Sequence, residues 1–182
     1  HIGLPDDRFG TSLAMNIQYP PIVSLREQIT QQLGLSTPLK FFTGFNKNGE
    51  AHVTTVTPVE YHDKLRRFVS PEKMSEIAMR FNIQSSDLEI LGLGCGQAVL
   101  SGKNEDTYFV IIRSENLLRI RRAIYEEYLR NGGIPSEWNP EHFFPHITIG
   151  YTLRDLHEDD GVFKDLVHSL DARFRLYLVN SI

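Results

Sequence analysis

Cysteine is nearly absent from this chain. Cys95 is the single one in 182 residues, which excludes an intrachain disulfide framework and any Cys-rich zinc site and fits a reducing compartment. Long apolar runs are missing too: nothing approaches the roughly 18 to 20 residues that a bilayer-crossing helix needs. The opening His1 to Gly10 is too polar for a secretory core. A membrane partner is therefore not expected. An excess of positive charge is also lacking, because 19 Lys and Arg stand against 23 Asp and Glu, for a net charge of −4. That balance argues against a grip on an extended nucleic-acid backbone, which needs many cationic contacts, and leaves a small or terminal phosphate compatible. The chain begins at His1 rather than Met, as a processed or trimmed chain would, and a cytoplasmic location is the default expectation.

What is present is an ordinary globular composition, 41% apolar and 23% charged, large enough to bury a core. Within it, two segments nearly repeat each other: His52-Val53-Thr54-Thr55-Val56-Thr57 and His146-Ile147-Thr148-Ile149-Gly150-Tyr151. Each reads as a strand with a β-branched residue between His and Thr, bounded by Pro or Gly turn signals. Side chains two apart on a strand share a face, so His52 with Thr54, and His146 with Thr148, each form an imidazole-hydroxyl pair. Composition alone yields roughly 0.4 His-x-Thr matches in such a chain, so the spacing by itself is weak and its setting has to carry the weight.

That setting is an internal repeat of element order. The first part reads as a strand, Thr11 to Gln18, a helix from Ile22 to Leu33 with Ser24 as N-cap and Gly34 as stop, an extended piece from Leu39 to Phe45, the turn Asn46 to Gly49, and the first His-x-Thr strand. Helices from Pro58 to Phe68 and from Ser70-Pro71 to Phe81 follow, then strands over Leu88 to Leu93 and Gln97 to Leu100. The second part reads as a strand, Thr107 to Arg113, a helix from Asn116 to Arg130 with Leu117, Leu118, Ile120, Ile124 and Leu129 on its apolar side, a loop through Trp138, and the second His-x-Thr strand. A helix from Gly161 to Leu170 and a strand from Ala172 to Val179 close it. The expected architecture is α+β: one bilobal domain over 1–182, with pseudo-symmetric lobes of antiparallel sheet and flanking helices, in chain-order halves of about 11–100 and 107–180, around a central groove.

With its paired His-x-Thr strands inside a duplicated α+β chain, the sequence resembles the 2H phosphoesterase superfamily, which includes RNA ligase-like and cyclic phosphodiesterase enzymes. The run Ala51-His52-Val53-Thr54-Thr55-Val56-Thr57-Pro58-Val59-Glu60 looks most like the branch associated with Swiss Army Knife RNA repair proteins. The resemblance implies hydrolysis of a 2′,3′-cyclic phosphate, on a nucleotide or an RNA end, to a 2′-phosphate. The chemistry fits the residues. One imidazole can take a proton from water while the other gives one to the departing sugar oxygen, and the Thr54 and Thr148 hydroxyls can bind phosphoryl oxygens. This scheme needs neither metal nor other cofactor, and which histidine is acid and which is base stays open. A monomer acting on a small nucleotide or RNA end is expected. The alternatives are a non-catalytic nucleotide or RNA-end binding module, a 2′-5′ phosphodiesterase on oligonucleotides, and a metal hydrolase built on His142, His146, His157 and Asp160.

Tyr151, Phe144 and Tyr61 are candidates for stacking on base or ribose. Against this, simple alternation turns Tyr151 to the face opposite His146 and Thr148, where core packing is the commoner role. His62, His157 and His168 are expected on solvated surfaces. The cluster Arg119-Ile120-Arg121-Arg122, with Arg113 nearby, reads as a solvated helix face balanced by Glu126 and Glu127. The stretch Gly92-Leu93-Gly94-Cys95-Gly96 lacks the spacing of a dinucleotide loop and reads as a flexible hairpin or bulge. Nothing around Cys95 marks it as a nucleophile.

Overall fold

The computed structural model describes residues 10–44 and 46–174. The first strand, β1 (Leu13–Ile17), leads into helix α1 (Tyr19–Gln32). The helix starts earlier than expected because Pro20 and Pro21 occupy its first turn, where a missing N–H costs nothing. Ser24 lies inside it, accepting a hydrogen bond from Gln28 at 3.2 Å, and caps nothing. Gly34, with φ +60°, ends it as expected. The extended piece expected at Leu39 to Phe45 is irregular where it is described. It touches the sheet through one bridge, Lys40 to Tyr151.

The first motif strand is β2 (Ala51–Val56). Thr57 and Glu60 then form a capping box over the short helix α2 (Pro58–Glu60), which widens into a π turn, Tyr61–Leu65. Helix α3 (Pro71–Arg80) has Ser70 as N-cap and Pro71 at its first position, as the sequence implied. The two strands expected at Leu88 to Leu100 are one twelve-residue strand, β3 (Glu89–Leu100), with a bulge between Ile90 and Gly92. It turns at Ser101-Gly102, both at positive φ, into β4 (Lys103–Arg113). The glycines inside β3 are therefore strand residues, with a bulge at Gly92 and no hairpin turn among them. Gly94 shows why: a Cβ there would lie 2.4 Å from the ring of Phe109, which crosses the strand at that point.

Helix α4 (Glu115–Arg130), capped by Ser114, buries Leu117, Ile120, Arg121, Ala123, Ile124 and Tyr128. Leu129, expected on the apolar side, is exposed, and Tyr128 takes that place. After a long loop comes the second motif strand, β5 (His146–Tyr151). The helix expected from Gly161 to Leu170 is only α5 (Leu166–Ser169), because Val162 and Lys164 alternate inward as in extended chain. Ala172–Phe174 forms a short 3-10 turn, and the strand expected there otherwise lies outside the described residues.

The strands form one sheet in the order β1-β2-β5-β4-β3, with β3 against β4 and β4 against β5 antiparallel. The fold is α+β. The chain clusters into two compact units, and neither is a successive half of the sequence. One takes 1–15, 53–88 and 114–143; the other takes 16–52, 89–113 and 144–182. The core of the first includes Val53, Leu65, Leu117, Ile120 and Ile124; that of the second includes Ile29, Phe109, Ile111 and Ile149. Among the described residues, no helix is long and apolar enough to cross a membrane.

Candidate active site

Strand β5 is not regular, and its irregularity arranges the second motif. Thr148 stands opposite Phe109, but Gly150 stands opposite Tyr108, so Ile149 is an extra residue in the ladder. The bulged Ile149 is fully buried, and its carbonyl accepts a 2.6 Å hydrogen bond from Nε of the buried Arg26. Arg26 is held in turn by the Tyr19 hydroxyl at 3.1 Å and by the face of Phe41, 4.3 Å away. Gly150 follows the bulge because the passing Leu39-Lys40 segment leaves no room: a Cβ would lie 3.0 Å from the Lys40 carbonyl.

The bulge corrects the expectation for Tyr151. Tyr151 pairs with Thr107, and Thr107, Phe109 and Ile111 share one face of β4. His146 opposite Ile111, Thr148 opposite Phe109, and Tyr151 opposite Thr107 therefore all lie on that same face. Tyr151 is half-buried there, and its hydroxyl is pushed upward in pKa by burial and by the charge of Asp155.

At the centre of this face is a cluster that the sequence reading did not contain. Asp155 accepts from the Thr107 hydroxyl at 2.6 Å, the Thr148 hydroxyl at 3.0 Å and the Lys164 ammonium at 2.8 Å. Burial opposes its charge, but the charge of Lys164 first, with His157 and His146 behind it, holds the carboxyl far below the ordinary carboxylate range. The Lys164 side chain is only 3% exposed. A second contact of Lys164 runs to Nε2 of His146 at 3.2 Å. The opposite edge of that ring, Nδ1, donates to the Phe144 carbonyl at 2.8 Å. An ammonium can only donate, so Nε2 carries the lone pair and His146 is the neutral, Nδ1-protonated tautomer. Burial first and the Lys164 charge second push its pKa down to about 3. The ring edge of Phe109, 5.8 Å between centroids, completes its surroundings.

His52 belongs to the same compact unit as His146. It is less enclosed, with 29% of its side chain exposed. On balance its pKa lies below the ordinary imidazole value: burial lowers it, and Glu50, whose carboxylate is 4.0 Å from Nδ1, and Asp155 offset only part of that. The charge of Asp155 thus acts on both motif histidines. Phe42, an aromatic that the sequence reading passed over, presents its ring to His52 at 5.1 Å in an edge-to-face arrangement and is itself 44% exposed. Thr54, two residues along β2, is half-buried and lies on the His52 face of that strand.

Several expectations need correction. The Thr148 hydroxyl proton is committed to Asp155 rather than turned outward for a phosphate, because the buried carboxylate is the strongest acceptor within reach. Tyr61 is 7% exposed in the core of its own unit, so its ring is covered by packing and offers no stacking face. Phe144 packs edge-on against Phe163 and serves His146 through its backbone carbonyl. Arg121 is not on a solvated face but 1% exposed. Its partners are Glu60, the Thr55, Pro140 and His142 carbonyls, and the rings of Trp138 and Phe143. Arg122 does lie outside, paired with Glu141. Cys95 is pushed up to about 12 by burial and by Asp106 and Asp171, so its thiol stays protonated and unreactive at neutral pH. Asp160 is bound by Arg154 through both oxygens, and among the described residues no three His, Cys, Asp or Glu side chains converge as a metal site.

The family model of the Swiss Army Knife, 2H phosphoesterase domain matches residues 12–157. This span holds both His-x-Thr strands. The chain belongs to the Swiss Army Knife 2H phosphoesterase family. Neither the comparison with curated proteins nor that with solved structures returned a match. Membership of the family supports a phosphodiesterase-type hydrolase activity. Of the cluster described above, the matched span includes His146, Thr148 and Asp155 and stops short of Lys164.

Proposed function

We propose that this 2H phosphoesterase hydrolyses a 2′,3′-cyclic phosphate, on a nucleotide or at an RNA end, without a metal ion, and leaves a 2′-phosphate. The observation that carries the reading is the family match spanning two strands that each bear a His-x-Thr pair. Water forms a new bond to phosphorus as the bond to the ring 3′ oxygen breaks. One imidazole accepts the proton of the water and the other donates a proton to the departing oxygen, so one water is consumed and the two histidines exchange protonation states. Each such transfer is typically worth about 10² to 10⁴ in rate.

Thr54 binds a non-bridging phosphoryl oxygen through its hydroxyl, and Thr148 serves the phosphate by holding Asp155, through which it touches the charge network of the site. Tyr151 and the exposed Phe42 supply aromatic faces for the nucleoside. The partner is a small or terminal ligand, in keeping with a net charge of −4.

The test is a product-resolved screen in the presence of EDTA, comparing 2′,3′-cyclic nucleotides, an ADP-ribose cyclic phosphate and 2′-5′-linked oligonucleotides. Turnover of the cyclic nucleotides to 2′-phosphates, abolished in His52→Ala and in His146→Ala with the fold intact by circular dichroism, is the expected result. Undiminished turnover in either variant, or activity that EDTA removes, overturns the proposal. Binding without turnover would make the domain a nucleotide-binding module instead.

A further inference from the structure

Resting on the acid-base reading above, we infer that Lys164 is a positioning residue that makes the two motif histidines unequal: it caps Nε2 of His146, keeps that ring a neutral proton acceptor, and leaves His52 as the proton donor.

The geometry is one-directional. Nδ1 of His146 faces the Phe144 carbonyl and must carry hydrogen to bond it, while Nε2 faces an ammonium that has only hydrogens to offer. A proton on Nε2 would be set against the N–H bonds of Lys164 at 3.2 Å. Lys164 cannot swing into solvent to relieve this, because its side chain is 3% exposed and tied to Asp155 at 2.8 Å. Among the described residues no equivalent cation acts on His52, whose charged neighbours, Glu50 and Asp155, both favour the imidazolium. The groups acting on His146 are Lys164 and His157, which disfavour its charge, and Asp155 and the Phe144 carbonyl, which favour it. His157 is 62% exposed, so its influence is screened by solvent. The buried Lys164 dominates among the charges.

The same contact says when the base becomes active. With Lys164 on Nε2, the lone pair is occupied. A phosphoryl anion arriving at this face competes for the ammonium, and a proton of Lys164 not used by Asp155 can turn to it. The freed Nε2 then accepts the proton of the attacking water, and the anion offsets the cation that had suppressed the basicity of the ring. His52 donates to the leaving oxygen. The reverse assignment would need an imidazolium beside Lys164 and a neutral ring beside two carboxylates, the less favourable arrangement on both counts.

The experiment reads the free protein by ¹⁵N-detected NMR of histidine side chains, comparing wild type with Lys164→Met and, so that no buried carboxylate is left alone, with the double variant Lys164→Met, Asp155→Asn. In the wild type His146 is expected to stay in the Nδ1–H tautomer and uncharged down to pH 5. In at least one of the two variants its titration should move up by about 1 to 3 pH units. Addition of inorganic phosphate to the wild type should move it in the same direction. In the cyclic-nucleotide assay, the acid limb of kcat/KM should move up with the His146 titration when Lys164 is replaced, since a base is lost once pH falls below its pKa. A wild-type His146 that titrates at the ordinary imidazole value, or an acid limb that ignores Lys164 in a folded and active variant, overturns the inference. The NMR arm needs no turnover, so an absence of cyclic-phosphate hydrolysis counts against the proposed activity and leaves the Lys164 contact to be judged by itself.

Discussion

Arg121 and Glu60 are joined through both guanidinium Nη atoms, at 2.8 and 3.2 Å, across sixty residues of sequence. The same guanidinium reaches the Thr55 carbonyl at 2.8 Å, and the same carboxylate takes the Trp138 indole N–H at 3.1 Å and closes the capping box after the first motif strand. Burial raises the carboxyl of Glu60, but the hydrogen bonds and charge of Arg121 overcome that and hold it below its ordinary value. Breaking a buried pair leaves its partner uncompensated, so Arg121→Ala should lose about 3–5 kcal/mol. Urea unfolding checks this, and a loss below about 1 kcal/mol, the scale of an exposed pair, would mean that the pair behaves as a surface one.

Thr55 presents the opposite case. The residue is 1% exposed, and its buried hydroxyl has no hydrogen-bond partner among the described residues. An unsatisfied buried polar group costs about 1–3 kcal/mol, so Thr55→Val should hold stability level or raise it by about 1 kcal/mol. A thermal-shift series settles the sign, and a drop of several degrees would show that the hydroxyl has a partner after all.

The depressed His146 also sets how stability responds to acid. Its pKa is about 3 when folded and near 6.5 when unfolded. Between those values the unfolded chain binds a proton that the folded one refuses, so this contribution is intact above 6.5 and is lost progressively as pH falls toward 3. The slope is at most about 1.4 kcal/mol per pH unit, reduced by the partial exposure of the ring. Denaturant midpoints at pH 7.5 and 5.5 should therefore differ in the wild type and draw together in His146→Gln. Parallel shifts in both proteins would assign the loss to other groups.

Phe42 is free to meet a nucleobase, since 44% of it is exposed and its edge contact is with a motif histidine. Stacking of a base on an aromatic ring is worth about 1–3 kcal/mol, so Phe42→Ala should raise KM for a 2′,3′-cyclic nucleotide by about 5- to 150-fold, with kcat largely kept. Phe42→Trp should retain affinity. An unchanged KM in the alanine variant would place the base elsewhere.

A methyl group at position 94 would press on Phe109, whose ring edge supports His146. Gly94→Ala should cost about 1–3 kcal/mol as overpacking and should lower kcat more than it raises KM, because the ring it displaces bounds a proton-transfer group rather than a binding surface. Equal kinetics with reduced stability would separate the packing from the chemistry.

These residues also mark what could be read from the sequence. The two motif strands, helices α1, α3 and α4, and the caps at Ser70-Pro71 and Gly34 follow from local signals, namely strand alternation, a polar N-cap and a glycine stop. Proline sets the start of α1 at Tyr19 rather than at the expected Ile22 with its Ser24 cap, a case where two start signals compete and fixed φ prevails. The glycine-rich stretch of β3 reads as a hairpin or bulge; a bulge is present at its start, and the close approach of Phe109 to Gly94 is a contact made from the neighbouring strand. Arg121 sits amid other arginines, and nothing in its immediate sequence tells which of them will be buried. Its partners come from two other stretches of chain, 55–60 and 138–143.

The site divides in the same way. His52, His146 and Thr148 were legible because period-two spacing is a local property. Strand alternation puts Tyr151 on the wrong face because one bulged residue inverts every later side chain, and the carbonyl of that residue is bound by Arg26, far back in helix α1. Lys164 and Asp155 carry no spacing signal at all. They become visible only when one ammonium is found joining the His146 imidazole to a carboxylate that also gathers two threonine hydroxyls.

The interleaving of the two compact units bears on synthesis. Each draws on three separate stretches, and the later stretches begin only at residues 114 and 144. A chain emerging from the ribosome in sequence order therefore contains neither unit until most of it has been made, and β2 waits for its neighbour β5. Cutting the gene at the β3–β4 turn would give two fragments with a motif each and a whole unit in neither. The units of the fold thus do not follow the repeat of element order along the chain.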